Sequence, residues 1–541
     1  MSQARNHRRL PVLPATALPQ RADGGVVGQG EARVSAVSAG AAASAVAGAE
    51  RIRIGLVTLG CDKNTVDSER ILARLVGEGA WVSTDPADAD VVLVNTCGFI
   101  EAAKEQSIDT ILEAVQLKDE GRVRAVVAMG CLVQRYKAEL EAELPEVDLF
   151  LGLSEVDRLV PELRARGLLP TPGGFVPTME RPLRVLSTDT PHTSYLKISE
   201  GCDHSCAFCA IPLMRGRHRS TPIAELVREA QELEARGVVE VNIVSQDTTW
   251  YGRDLLRGAP VAAGESYFLG RPFPGMVGHP EPQTDGREPA RARGAAPEAA
   301  GNGGRRGLLP DLLRALLDGT SIPWFRLFYM YPSGISPELV ELMAREPRIL
   351  PYLDMPIQHG SDRVLERMRR PERRATIRER VRWLREAIPD LVLRTTVIVG
   401  FPGETEEDFE ALLELLEEIR FDRVGAFAYS REEGTPAAKM PGQVPEAVKR
   451  ERLERVYDLQ RSISLERNEA LVGRELVVLV DRAESEDGQD AVGRTAGQAL
   501  EVDGVVYLKN AAGVRPGSFV RARILEAQEY DLVGELVGEG S

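Results

Sequence analysis

Short apolar runs alternate with longer helix-like stretches from Arg51 to about Leu168. The runs are continuously apolar, which is typical of parallel strands covered by helices on both faces. They occupy residues 52–59, 90–95 and 125–129, and the stretches 67–78 and 101–117 between them have helical character. The pattern predicts an N-terminal open parallel α/β domain over residues 51–168.

A second alternation of strands and helices is predicted over residues 188–465. Its apolar runs lie at 195–199, 239–245, 324–331, 352–357, 391–399 and 424–429. Thr405 to Asp408 has the pattern of a capping box, which places a helix start after the fifth run. Six strand–helix units predict a partial (β/α)6 barrel, with its ligands at the carboxyl ends of the strands.

The last part of the chain changes character after a charged amphipathic helix at 446–469. Five short runs with alternating polarity and glycine-containing turns follow within residues 468–541. Such runs predict a small antiparallel β-barrel of the OB-like type.

Two stretches show neither the hydrophobic period of a helix nor that of a strand. Residues 1–50 are interpreted as a disordered extension, and residues 258–306, rich in Gly, Pro, Ala and Arg, as a disordered insertion in the barrel domain. No run of about 18 apolar residues occurs, so no membrane association is expected.

Composition narrows the classes of function. The 541 residues are 43% hydrophobic and 28% charged, as in a soluble globular protein. The net charge of −15 argues against general binding to nucleic acid phosphates and suits a basic partner. Six cysteines in so long a chain form no disulfide framework, and reactive thiols need reducing conditions, so the protein is expected in the cytoplasm.

Three of the cysteines, Cys202, Cys206 and Cys209, follow the first predicted barrel strand. Three thiolates in eight residues can hold three irons of a [4Fe-4S] cluster and leave the fourth iron open to an exchangeable ligand. The alternative is a structural zinc site, for which His204 would be the fourth ligand. The spacing, with Phe208 before the last cysteine, resembles the radical S-adenosylmethionine (SAM) signature.

The other three cysteines, Cys61, Cys97 and Cys131, each follow a predicted strand of the N-terminal domain. Carboxyl ends of parallel strands lie along one edge of a sheet, so these thiols are expected to converge and hold a second cluster. The alternative is that each is a small buried apolar residue. Lys63 and Asn64, just after Cys61, are expected to tune this second site.

Taken together, these features resemble the methylthiotransferases, which combine a three-cysteine domain, a radical SAM barrel and a terminal TRAM β-barrel. The segments that carry the resemblance are 59–69 (LGCDKNTVDSE), 95–100 (NTCGFI), 197–204 (KISEGCDH), 246–252 (QDTTWYG), 352–359 (YLDMPIQH), 399–409 (VGFPGETEEDF) and 429–435 (YSREEGT). It covers the chain from Arg51 onward; Ser205, Ala207 and the 258–306 insertion depart from the family pattern without removing a cysteine.

The resemblance implies two [4Fe-4S] clusters, one at Cys61, Cys97 and Cys131 and a SAM-binding one at Cys202, Cys206 and Cys209. It further implies SAM contacts, for which the candidates are Phe208, Ser245, Gln246 and Gly400. A reducing electron donor and a sulfur donor would also be required.

The resemblance is greatest to family members that modify an aspartate of small-subunit ribosomal protein uS12 to 3-methylthioaspartate, free or within the ribosome. Other members modify an adenosine of transfer RNA, and this alternative stays open. From Ala470 to Ser541 there are seven basic and thirteen acidic residues, a net charge of −6. Since an RNA-binding surface needs cations, this acidity favours a basic protein substrate over direct contact with RNA.

Overall fold

The computed structural model describes residues 33–34, 52–169, 183–186, 190–257, 307–483 and 490–537. The predicted extension over 1–50 lies outside this part of the chain except for Arg33–Val34, and the predicted insertion over 258–306 lies outside it entirely. Among the described residues, no helix is both long enough and apolar enough to cross a bilayer.

The N-terminal domain is a six-stranded sheet with helices on both faces. Its strands are β1 (Arg33–Val34), β2 (Arg53–Thr58), β3 (Trp81–Val82), β4 (Val91–Thr96), β5 (Ala125–Gly130) and β6 (Leu149–Gly152). Its helices are α1 (Asp62–Gly77), α2 (Glu101–Asp119), α3 (Cys131–Glu143) and α4 (Leu159–Ala165). The order is β1-β2-β4-β5-β6 with β3 also on β2, and all pairs are parallel except β1 with β2. Every residue of β4 and β5 is buried, which confirms the prediction from their continuous apolar runs.

The central domain contains six parallel strands. They are β7 (Thr193–Lys197), β10 (Glu240–Val244), β11 (Trp324–Leu327), β12 (Ile349–Asp354), β13 (Val392–Val399) and β14 (Arg423–Ala428), while β8 (Ser199–Glu200) and β9 (Arg219–Ser220) form a separate antiparallel pair. The helices are α5 (Ile211–Arg215), α6 (Ile223–Ala235), α7 (Leu309–Gly319), α8 (Pro337–Arg345), α9 (Asp362–Arg367), α10 (Arg374–Ala387), α11 (Glu406–Ile419) and α12 (Glu446–Glu469). The strands pair in chain order, and within the described residues β7 and β14 stay unpaired with each other, which confirms a partial barrel.

The C-terminal domain is a closed five-stranded barrel in the order β15-β16-β17-β19-β18. Its strands are β15 (Glu475–Ala483), β16 (Ala491–Thr495), β17 (Val506–Lys509), β18 (Phe519–Ala527) and β19 (Leu532–Leu536). The predicted barrel is confirmed, but it is not wholly antiparallel because β17 and β19 run parallel. The last two strands exchange places in the barrel order, so β19 returns beside β17 in the same direction.

The C-terminal barrel packs against the inner face of the central sheet. Trp324 and Phe519 meet edge to face with ring centroids 4.9 Å apart. Nearby, Glu240 at the start of β10 accepts hydrogen bonds from Arg326 at 2.9–3.0 Å and pairs with Arg494 of the C-terminal barrel at 2.7 Å. All three charges are fully buried and compensate one another. Because Glu240 and Trp324 are the first residues of β10 and β11, this contact lies at the amino-terminal ends of the strands and not at the carboxyl ends, where ligands bind in such barrels.

Candidate active site at the carboxyl ends of two sheets

Cys61, Cys97 and Cys131 lie at the carboxyl ends of three neighbouring strands. Cys61 stands just before α1, Cys97 directly follows β4, and Cys131 is the first residue of α3 after β5. Gly60 has a φ of +92°, and a Cβ on it would lie 2.9 Å from the Cys97 sulfur, so the first two loops touch here. The structure therefore brings these three cysteines to one edge of the sheet, as the strand order predicted.

Asn64 ties the three cysteine loops together. Its side-chain nitrogen donates hydrogen bonds to the carbonyl oxygens of Leu59 at 2.7 Å and Thr96 at 3.2 Å, which precede Cys61 and Cys97. Its side-chain oxygen lies 3.9 Å from the Cys131 sulfur. Asn64 is fully buried on the first turn of α1, so one amide holds all three loops in register.

Cys202, Cys206 and Cys209 lie in the loop that follows β7 and leads into α5. The Cys209 amide donates a hydrogen bond to the Cys206 carbonyl at 3.2 Å, which curls the loop. The guanidinium of Arg370 approaches the Cys206 sulfur to 4.0 Å and lies over the Tyr331 ring at 3.7 Å. This loop is therefore positioned at the open mouth of the partial barrel with a cation beside one sulfur.

Two thiols of each group lie in surroundings that disfavour the bare thiolate. Burial, with the neighbouring cysteines adding to it, raises the pKa of Cys97 to about 12. Burial likewise raises the pKa of Cys131 to about 11 and the pKa of Cys202 and Cys209 to about 12. Thiolates in such places need the positive charge of a metal centre.

The number of ligands distinguishes between the candidate metal centres. Among the described residues, no group of three His, Cys, Asp or Glu side chains is arranged to hold a single metal ion. A cubane cluster takes each cysteine on a different iron and needs only three thiols, whereas structural zinc takes four ligands on one ion. The Nε2 of His204, the candidate fourth zinc ligand, lies 2.6 Å from Asp247, and its ring stacks on Tyr331 with centroids 3.9 Å apart.

The residues predicted to contact SAM surround this mouth. The Ser245 hydroxyl follows β10 and shares a 2.6 Å hydrogen bond with Ser199. Gln246 donates to Glu200 at 3.2 Å, whereas its side-chain oxygen is buried without a hydrogen-bond partner in the described structure. A buried acceptor without a partner is uncommon, so this oxygen is available to the N–H group of a bound ligand.

Phe208 and Gly400 lie on the opposite side of the mouth. Phe208 packs on a buried cluster that includes Phe401 and Tyr429. Gly400 directly follows β13 with a φ of +72°, and the Lys449 side chain fills the space where its Cβ would be. Their contact with SAM stays a prediction.

Sequence reasoning missed the arginines of this site. Arg215 lies at the end of α5, is 2% exposed, and bonds residues of both the N-terminal and central domains. Arg370 was missed as well, although it stands next to Cys206. The only sequence signal for Arg215 was its position shortly after the Cys202, Cys206 and Cys209 motif. The sequence had no signal for Arg370.

Three family models match the chain in succession. An uncharacterized protein family designated UPF0004 matches residues 53–152, the radical SAM superfamily matches 196–266 and 290–416, and the TRAM domain matches 472–537. These domains, with two cysteine triads at their meeting point, define a radical SAM methylthiotransferase, an enzyme that uses SAM and [4Fe-4S] clusters.

The relatives specify the family more narrowly. The chain is 46% identical over 488 residues to the ribosomal protein uS12 methylthiotransferase RimO of an Anaeromyxobacter species, covering 90% of this chain and 93% of that one. It is also 46% identical to the protein of the same name from Desulforudis audaxviator, covering 90% and 97%. This chain belongs to the RimO family.

One solved structure with a related fold is much less similar to this chain in sequence. The radical SAM methyltransferase TsrM from Kitasatospora setae, with cobalamin and a [4Fe-4S] cluster bound, is 15% identical with a TM-score of 0.41. The match covers 72% of this chain and 68% of that one.

Proposed function

We propose that this enzyme attaches a methylthio group to the β-carbon of an aspartate in ribosomal protein uS12 and so forms 3-methylthioaspartate. The names of its relatives at 40–46% identity support this substrate. The acidic C-terminal region, with a net charge of −6 from Ala470 to Ser541, favours a basic protein over RNA.

The two cysteine triads are assigned different clusters. Cys202, Cys206 and Cys209 would hold the [4Fe-4S] cluster that binds SAM, and Cys61, Cys97 and Cys131 would hold the cluster that carries the sulfur. The bound groups would supply reductive cleavage of one SAM, abstraction of the substrate β-hydrogen with formation of 5′-deoxyadenosine, and insertion of a sulfur that a second SAM methylates.

The residues of the chain orient and shield these groups. Gln246 would accept a hydrogen bond from the amino group of SAM through its unpartnered side-chain oxygen. Ser245 and Gly400 would border the pocket, and Phe208 would pack on the adenine. Arg370 would lower the negative charge around the SAM-binding cluster because its guanidinium lies beside the Cys206 sulfur.

One observation carries the proposal: the two triads lie on either side of the short helix α5. Ala210, which follows Cys209, packs in the same buried cluster as Cys131 and Met214. A sulfur held at Cys61, Cys97 and Cys131 would therefore be close to a substrate radical formed at the cluster of Cys202, Cys206 and Cys209.

Anaerobic reconstitution with iron, sulfide, SAM and a reductant tests the proposal against two substrates, uS12 and unmodified transfer RNA. We expect mass spectrometry to show a methylthio group on an aspartate of uS12 alone. Modification of adenosine in the RNA would establish the alternative function, and modification of neither would refute both.

A matched pair of cysteine variants assigns the clusters. Cys131→Ala should lower the iron content from about eight to about four per chain and still permit SAM cleavage, whereas Cys206→Ala should abolish SAM cleavage. Equal loss of SAM cleavage in both variants would contradict the division of labour. The proposed reaction also requires an electron donor for SAM cleavage and a sulfur donor for the product. We place the enzyme in the cytoplasm, because all six cysteines lie in the described residues and none of them forms a disulfide.

A further inference from the structure

A buried arginine, Arg215, links the surroundings of the two cysteine triads. Arg215 is the last residue of α5, the five-residue helix that begins two residues after Cys209. Its guanidinium donates to Asn64 at 2.5 Å and to Asp67 at 3.1 Å, both on α1 of the N-terminal domain. It also donates to both carboxylate oxygens of Glu200 at 2.8 and 3.0 Å in the central domain.

Two partners of Arg215, Asn64 and Glu200, each lead to one triad. Asn64 holds the loops of Cys61 and Cys97 through two carbonyl groups and lies 3.9 Å from the Cys131 sulfur. Glu200 stands two residues before Cys202 and accepts a further hydrogen bond from Gln246 at 3.2 Å. A path from one cluster site to the other therefore runs through the hydrogen bonds of Asn64, Arg215 and Glu200 and then along two residues of the chain to Cys202.

The charges along this path are balanced. Lys197 pairs with the same two carboxylates, Asp67 and Glu200, so two cations face two anions in the buried seam. Burial alone would raise the pKa of Glu200, but the charges of Arg215 and Lys197 hold it below its usual value. A planar guanidinium offers donors in a fixed fork that matches the Glu200 carboxylate and the α1 side chains together, whereas the donors of a lysine ammonium all radiate from one atom.

We propose that Arg215 is a positioning residue that fixes the separation and orientation of the two cluster sites. It contacts neither reacting atom, and it acts through Asn64 on one side and Glu200 on the other. The consequence is that a substrate radical formed at the barrel cluster would meet the sulfur held at Cys61, Cys97 and Cys131 before it is quenched. The inference rests on the proposed two-cluster function.

The test compares Arg215→Lys with Arg184→Lys. Arg184 is an equally buried arginine at the same domain boundary, where it bonds Glu69 of α1 and Glu229 of α6 without touching a residue of the path. Both variants are reconstituted anaerobically, and iron content, 5′-deoxyadenosine and methylthiolated uS12 are measured. The magnetic interaction between the two reduced clusters is measured by EPR on the same samples without substrate.

We expect Arg215→Lys to keep its iron and its SAM cleavage while the ratio of 5′-deoxyadenosine to product rises about 10- to 100-fold. Its inter-cluster EPR interaction should change, and Arg184→Lys should match the wild type in both readouts. Glu200→Gln, which weakens the path at its other end, should shift the ratio and the EPR interaction in the same direction.

Three results would overturn the proposal. One is an Arg215→Lys enzyme with wild-type ratio and EPR interaction; the second is an equal change in Arg184→Lys. The third is loss of iron from the first triad in both Arg215→Lys and Glu200→Gln, which would make the path a scaffold for one cluster. If the wild type fails to modify uS12, the proposed substrate is wrong, and the EPR comparison still decides the role of Arg215.

Discussion

Replacing Asn64 with alanine should destabilise the first cluster site more than any other change that spares the cysteines. The substitution leaves the Leu59 and Thr96 carbonyl oxygens without this donor and one Arg215 N–H without its acceptor. An orphaned buried polar group costs about 1–3 kcal/mol, so three such groups predict a loss of about 3–9 kcal/mol in unfolding free energy if their costs add.

Asn468 provides a matched control far from the cysteines. It is also buried, donates to the Gln528 and Glu529 carbonyls at 2.8 and 3.3 Å, and accepts from Arg423 at 3.3 Å. Asn468→Ala therefore removes the same kinds of contact between α12 and the C-terminal barrel. The two variants should lose similar amounts of stability in chemical denaturation of the unreconstituted protein.

Iron and sulfide content after anaerobic reconstitution separates the two variants. We expect about four irons per chain in Asn64→Ala and about eight in Asn468→Ala, because only the first loses the link among the three cysteine loops. Full iron content in Asn64→Ala would refute the organising role of this amide. Equal iron loss in both variants would show that general destabilisation is the cause.

Three further changes have defined outcomes. Arg370→Gln should make the midpoint potential of the barrel cluster more negative, because the substitution removes a cation beside the Cys206 sulfur. An EPR-monitored redox titration measures this potential, and an unchanged value would contradict the prediction. Burial would raise the pKa of Glu240, but the charges of Arg494 and a neighbouring arginine hold this pKa below its usual value. The ionised Glu240 therefore stabilises the fold at pH values above its unfolded pKa of about 4.3, and this stabilisation is lost as the pH falls further. Denaturation from pH 6 to pH 3 should therefore show a shallower pH dependence in Glu240→Gln. Tyr352→Phe removes a 2.8 Å hydrogen bond to Asp503 and should cost about 1–3 kcal/mol in unfolding free energy, with SAM cleavage unchanged.

The parts of the fold that follow from local pattern were predictable. Continuous apolar runs identified β4 and β5, whose residues are all buried, and the Thr405 side chain does accept the Asp408 amide as its capping pattern predicted. Strand order then placed Cys61, Cys97 and Cys131 along one edge, because the carboxyl ends of parallel strands coincide.

The network between the triads was not predictable from one sequence. Arg215 and Asn64 are 151 residues apart in the chain, and an arginine has no periodic signal that distinguishes a buried partner from a solvated side chain. The same limit applies to His204, which spacing allowed as a zinc ligand and which the fold instead pairs with Asp247. The parallel pairing of β17 with β19 also depends on barrel closure, which alternation alone does not encode.

The unclosed sheet of the central domain has a consequence for how the two cysteine groups meet. A complete eight-stranded barrel has no free edge, and its interior is filled by side chains. Here β7 and β14 remain separate edges in the described structure, and the N-terminal domain contacts both sides of the gap. Lys197 of β7 pairs with Asp67 of α1, and Glu432, four residues after β14, pairs with Arg135 of α3 at 2.9 Å. The incomplete barrel therefore leaves room for a second domain to bring its own cysteines to the strand ends, which closure of the sheet would have prevented.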